Sequence, residues 1–183
     1  MKQLSESPIQ RYVLSVLVEN HAGVLSRVSG LFSRRGYNID SLTVGVTSHP
    51  GQSRMTIVVQ GDDHTLNQII KQLSKLEEVI TIEHCDTSAT VLRETALIKV
   101  AAPGESRIGV IETANIFRAH VVDVGFDTLV IEATGSEDKI ASLIRLLEPF
   151  GIRELVRTGL TAMDRGGKLL GVPGSGEASS DAE

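Results

Sequence analysis

Tryptophan is absent, cysteine occurs once, and aromatic residues make up only 3% of the 183 residues. A core without large rings has to be built from Val, Ile, Leu and Ala, and apolar residues at 41% are numerous enough to build one. The lone cysteine, Cys85, cannot close an intramolecular disulfide, which points to a reducing compartment. Basic charge is also short. Eighteen Lys and Arg stand against 23 Asp and Glu, a formal charge of −5. That balance argues against a nucleic acid held by bulk charge, but not against a small anion held by local backbone groups. No apolar run approaches the roughly 18 residues that span a bilayer. The opening MKQLSESPIQ is polar and lacks the apolar stretch of a secretory signal. The expectation is a soluble cytoplasmic protein with neither membrane nor nucleic acid as partner.

A chain of this length holds one ordinary domain or two small ones. Residues 11–18, RYVLSVLV, read as a buried strand bounded by Glu-Asn-His-Ala-Gly. Val24, Leu25, Val28, Leu31 and Phe32 then form one stripe of a helix, and Gly36 stands where a glycine would end it. Leu42, Val44 and Val46 alternate with polar or small residues, as do Met55, Ile57 and Val59 after the turn HPGQS, giving a hairpin. A second helix presents Leu66, Ile69, Ile70, Leu73 and Leu76, and VITIEHC closes as a strand. The order β-α-β-β-α-β specifies an α+β, ferredoxin-like architecture with two helices on one sheet face. The other face needs water, a partner or a second copy.

The second half repeats the scheme. The stretch Gly61 to Cys85 aligns with Gly135 to Gly159, and Leu66, Ile69, Ile70 and Leu73 match Ile140, Leu143, Ile144 and Leu147. Two ferredoxin-like βαββαβ domains in tandem are therefore expected, at residues 11–86 and 94–166. Residues 1–10 and the Gly/Ser-rich 167–183 are expected to be flexible ends.

Chemistry-bearing residues do not converge. In His84-Cys85-Asp86, neighbouring strand residues point to opposite faces. Asp62-Asp63-His64 is the composition of a helix cap, and Glu132, Glu137 and Asp138 follow the same logic in the second half. No zinc, calcium or nucleotide motif is present. The pair Arg34-Arg35 reads as solvated. Neither a catalytic site nor a metal site is expected.

The mouth of the first helix is different. A helix N-terminus carries unpaired N–H groups and partial positive charge, which suits an anion. Gly23 lets another molecule approach the backbone, and Asn20 offers a donor and an acceptor beside it. Asn38 and Ile39 lie past the far end of the helix, where a second copy could bring them in. The alternative stays open that Asn20 starts a turn, Gly23 relieves a tight junction and Asn38 caps a strand.

The stretch RYVLSVLVENHAGVLSRVSGLFSRRGYNIDSLTVG resembles the amino-acid-binding ACT domain of the small regulatory subunit of acetolactate synthase (acetohydroxyacid synthase). The resemblance continues through SRMTIVV, QLSKLEEVI, RETALIKV, IFRAHVVDV and ELVRTGLTAMDRG, from Arg11 to Gly166. It implies a subunit with no catalytic centre or cofactor of its own. The expected partner is a large catalytic subunit that uses thiamine diphosphate, Mg²⁺ and FAD. The small subunit would activate it and confer feedback inhibition by branched-chain amino acids, valine foremost, in valine, leucine and isoleucine biosynthesis. The resemblance also implies a homodimer through the ACT domain, with the ligand between two copies. Asn20 and Gly23 match ligand positions of one chain. The backbone of His21, Ala22, Val24 and Leu25 would line the carboxylate seat. Asn38, with Ile39 beside it, would reach across from the other chain. Ala22 stands where many ACT domains carry proline. The competing readings are a stand-alone ACT-type amino-acid sensor acting on another protein, and a small enzyme of the same fold.

Overall fold

A computed structural model describes residues 9–171. Of the expected ends, 1–10 and 167–183, residues 1–8 and 172–183 lie outside the described residues, while Gln10 opens β1 and Lys168 pairs with Glu83. The elements follow the order β1 (Gln10–Glu19), α1 (Val24–Arg35), β2 (Ile39–Val46), β3 (Gln52–Gly61), α2 (Asp63–Leu73), β4 (Val79–His84), then β5 (Thr90–Ala101), α3 (Ser106–Ile116), β6 (His120–Val124), β7 (Thr128–Gly135), α4 (Glu137–Leu147), a short 3₁₀ turn, β8 (Ile152–Arg157) and β9 (Thr161–Asp164). This is β-α-β-β-α-β twice, the tandem ferredoxin-like α+β architecture that the sequence specifies. The described chain divides into two compact units. One holds the residues up to Val91 together with those from Ala162 on, and the other is Leu92–Thr161.

In the first unit the antiparallel sheet runs β2-β3-β1-β4. Residues directly opposite across β1 and β3, such as Leu14 and Ile57 or Val16 and Met55, point to one side. There they meet Val24, Val28, Leu31 and Phe32 of α1 and Leu66, Ile69 and Leu73 of α2 in one aliphatic core. Local chemistry sets the helix ends. Asp62 accepts the Thr65 N–H at 2.7 Å as N-cap of α2, and Gly36 takes φ 70°, a left-handed conformation that costs a glycine little, to end α1.

The central strands of the other face of this sheet are covered by the chain itself. Val13, Ser15, Leu17, Thr56 and Val58 on it are buried, and the chain's own segment from Ala162 lies there. Ala162 N–H donates to Thr56 Oγ1 at 3.3 Å, and Arg54 Nη1 donates to Ala162 O at 3.3 Å. The domain boundary read from the sequence runs to Gly166, whereas Ala162 already packs with the first unit. The contacts responsible span more than a hundred positions of sequence, and no local pattern encodes them.

In the second unit the order is β6-β7-β5-β8, while β9, which from Ala162 on belongs to the first unit, pairs β5, a strand that itself begins in the first unit at Thr90. Ala96, Ile98 and Val100 of β5 pack with Val110, Ala114, Ile140, Leu143 and Leu147. The opposite face stays open: Leu97 and Val156, paired across β5 and β8, are 42% and 55% exposed. Helix α3 covers Ser106–Ile116. It stops at Ile116, and Arg118 takes φ 50°, so Ala119 N–H returns to Ala114 O at 2.9 Å.

Buried Tyr12 donates its hydroxyl to Asp63 Oδ1 at 2.7 Å. That bond, then burial, then the Asp63 and Asp62 charges push the phenol up to about 12. The folded state therefore favours the protonated phenol. The resulting stability is complete below the ordinary value near 10 and is lost as pH rises toward 12. An ultraviolet titration is expected to show one of the two tyrosines resisting ionisation to about pH 12, and Tyr12→Phe removes that component.

Candidate functional site

The mouth of α1 is built by three segments. Strand β1 ends at Glu19, and Asn20 is fastened to the β2–β3 turn: its backbone N–H donates to Gly51 O at 2.8 Å, and its Nδ2 donates to Pro50 O at 2.9 Å. The side-chain amide is thereby oriented, and its Oδ1 has no partner among the described residues. His21 braces the loop, with Nδ1 3.1 Å from Ala22 O and Nε2 3.1 Å from a Glu19 carboxylate oxygen. This bracing role was not legible in the sequence.

Gly23 is the N-cap residue, at φ 94° and ψ −18°. A β-carbon there would meet nothing within 4 Å. The glycine is thus required by its backbone conformation, and the space above it is open. The first helical bond is Arg27 N–H to Gly23 O at 3.0 Å. No side chain caps the helix and no acid stands in its first turn. The N–H groups of Val24 and Leu25 precede the first intrahelical bond and keep the partial positive charge of an uncapped helix end. Val24 is buried in the core, while Leu25 is exposed.

Helix α1 is anchored from below by a buried carboxylate, Glu78. Glu78 is buried, with a side chain only 7% exposed, and pairs with Arg27 of α1. Its backbone O accepts the Glu19 N–H at 2.9 Å. Its second oxygen, Oε2, is buried without a hydrogen-bond partner in the structure. Nothing local marks this acid as buried, because its partner is remote in sequence. Arg27→Ala would leave Glu78 uncompensated and is expected to cost about 1.5–3 kcal/mol, read by chemical denaturation.

Asn38 is not part of the same-chain mouth. The 12-residue α1 separates it from Asn20, a rise of about 18 Å. Asn38 Nδ2 donates to Asp40 Oδ1 at 3.0 Å, and Gln60 Nε2 holds the other Asp40 oxygen at 2.7 Å. Asp40 therefore orients Asn38, a role absent from the sequence reading. Ile39 packs partly against the first core.

The remaining polar clusters resolve into structural roles. Asp62 caps α2. The His84 ring meets Tyr12 edge-on at 5.4 Å, while Cys85, the next residue, is buried. Asp86 accepts the Ser88 N–H at 2.9 Å. Among the described residues no three His, Cys, Asp or Glu side chains converge on a metal position, and no helix is long and apolar enough to cross a membrane.

Comparison with known proteins matches both halves of the chain. Residues 14–81 match the family described as the AHAS small subunit-like ACT domain. Residues 93–166 match the family described as the small subunit of acetolactate synthase. An acetolactate synthase small subunit of Mycobacterium bovis is 53% identical over 87% of this chain and 95% of its own length. One from Mycolicibacterium smegmatis is 52% identical over 87% of this chain and 94% of its own. The crystal structure of an acetolactate synthase small subunit from Thermotoga maritima superposes with a TM-score of 0.81 at 42% identity, covering 86% of this chain and 98% of that one.

Proposed function

We propose, starting from the fact that the chain belongs to the family of acetolactate synthase small subunits, that it is a cytoplasmic regulatory subunit which binds a branched-chain amino acid at the α1 mouth. Its partner is the large catalytic subunit, which carries the thiamine diphosphate, Mg²⁺ and FAD. The small subunit activates that enzyme and makes it sensitive to valine.

The observation that carries this reading is the uncapped α1 mouth with its pre-oriented amide. The ligand carboxylate takes the N–H groups at Gly23, Val24 and Leu25, with His21 and Ala22 on the loop beside them. With Nδ2 engaged by Pro50, the Asn20 Oδ1 is left to accept from the ligand ammonium. A second copy supplies Asn38, held by Asp40, and Ile39 as apolar wall. A pocket completed only between two chains stabilises one arrangement of the dimer, and inhibition follows from the ligand's differential affinity for two states of the complex.

Reconstitution tests the proposal. Acetolactate formation by the large subunit is expected to rise on adding this chain and to fall again with valine. No change on either addition contradicts it. Asn38→Ala is expected to weaken valine binding about tenfold, near 1.4 kcal/mol, in a calorimetric titration. Asn38 is exposed and its side chain, among the described residues, bonds nearby Asp40, so the variant's melting temperature should stay within about 2 °C. A collapse of stability with unchanged affinity would assign Asn38 to strand capping instead.

A further inference from the structure

We propose that the segment Ala162–Gly171 is a strap whose docking on the back of the first sheet is coupled to occupancy of the α1 mouth. The inference rests on the amino-acid reading above and adds the element that senses the ligand.

The strap holds the same strand rungs that position Asn20. Across β1 and β3, Leu17 lies opposite Arg54 and Glu19 opposite Gln52, and Asn20 is bonded to Gly51 and Pro50 just beyond. Arg54 donates to Ala162 O, and Thr56 accepts from Ala162 N–H. At the far end of the strap, a β-carbon on Gly171 would lie 3.3 Å from both Leu17 Cδ2 and Thr81 Cγ2. Between these points Lys168 Nζ bridges Glu83 at 2.5 Å and Asp164 at 3.2 Å. Asp164 also accepts from Thr90 Oγ1 at 2.9 Å, and Arg165 N–H donates to Ala89 O at 2.9 Å.

Beyond its first residues, which form strand β9 paired with β5, the strap is attached by separable polar contacts more than by packing. Ala162 is 1% exposed, but Met163 and Leu169 are turned out, and the Lys168 side chain is 44% exposed. Beneath it Ser15 Oγ is buried without a hydrogen-bond partner. Such a segment opens at lower free energy than the core it covers. Because it grips Leu17 and Arg54, opening it loosens the strand ends that hold Asn20. Reciprocity then requires that a ligand tightening the mouth also tightens the strap. The chain leaves for the second unit at Leu92 and re-enters at Ala162, so the strap lies directly on the covalent path back from that unit.

The sole cysteine reports the docking. Cys85 is buried, and burial first, then the Asp164 carboxylate, push its thiol up to about 11. It should therefore alkylate slowly at neutral pH while the strap is docked. The experiment measures Cys85 alkylation by iodoacetamide in the full chain, with and without L-valine, alongside calorimetric titration of valine. The variants are Lys168→Glu, which sets a carboxylate against Glu83 and Asp164, and Arg54→Ala. In the wild type, saturating valine is expected to slow alkylation about fivefold or more. Both variants should alkylate faster without ligand and bind valine about fivefold more weakly or worse, while circular dichroism shows the fold retained. If valine binds the wild type but leaves its alkylation unchanged, and both variants bind valine as the wild type does, the strap is a static covering and the inference is overturned. If valine fails to bind the wild type at all, the amino-acid reading falls and takes the strap's role with it.

Discussion

Gly23→Asp is expected to reduce valine affinity by about 100-fold or more, close to 2.8 kcal/mol, in a chain that still folds. The β-carbon at this position meets nothing within 4 Å, so the new carboxylate enters open space and not the core. Its cost in the folded state is backbone strain at φ 94°, about 1–2 kcal/mol for an ordinary residue. Aspartate and asparagine tolerate positive φ better than most residues. A domain with the usual 5–15 kcal/mol of stability survives that loss. The charge, however, stands beside the N–H groups that would receive the ligand's carboxylate, and two carboxylates compete for one set of donors. Gly23→Ala separates strain from charge: it should lose similar stability but keep valine affinity within about tenfold. Wild-type affinity in Gly23→Asp, measured by calorimetric titration, would remove the α1 mouth from the ligand site.

Arg157→Ala is expected to be the most damaging single change to stability. Glu94 has a side chain only 2% exposed and lies against the Arg157 guanidinium. Arg157 Nε donates to Glu94 Oε2 at 3.2 Å, and Nη2 donates to Oε1. Removing one partner of a buried pair leaves the other charge uncompensated, at about 3–5 kcal/mol. For a unit of this size that corresponds to a fall in melting temperature of at least about 12 °C. Arg157→Lys keeps the charge but not the two-pronged geometry, and should fall between. The pair Arg157→Met with Glu94→Leu should recover most of the loss, because a well-packed apolar pair replaces a buried ion pair at little cost. A single Arg157→Ala that melts within about 3 °C of the wild type would show that the pair is solvated in solution.

These two predictions differ in how far the sequence alone leads to them. The stripe of Val24, Val28, Leu31 and Phe32 and the glycine at position 36 follow from local rules, and each occupies its expected place. The repeated positions Leu66, Ile69 and Leu73 and Ile140, Leu143 and Leu147 are likewise buried in matching helices. The mouth of α1 was visible as a glycine at a strand–helix junction. The left-handed angle of Gly23 and the pinning of Asn20 to Pro50 required the β2–β3 turn to be seen beside it. The buried acids were not visible. Glu78 follows Glu77, and Glu94 stands between Arg93 and Thr95, while the partners that make their burial tolerable, Arg27 and Arg157, lie far away along the chain. The strap was missed for the same reason. Ala162 has no local feature that predicts a bond to Thr56.

The central claim is that one ligand pocket is assembled from Asn20 and Gly23 of one chain and Asn38 of another. A mixed dimer tests it most directly. One chain carries Gly23→Asp and the other Asn38→Ala, the two being separated by different affinity tags after co-expression. Both lesions then fall in one pocket, and the other pocket is built entirely from wild-type residues. Calorimetric titration of valine should give one wild-type site per mixed dimer, while each variant alone binds weakly or not at all. A mixed dimer as impaired as its parents would show that the two residues do not meet across chains and would contradict the account.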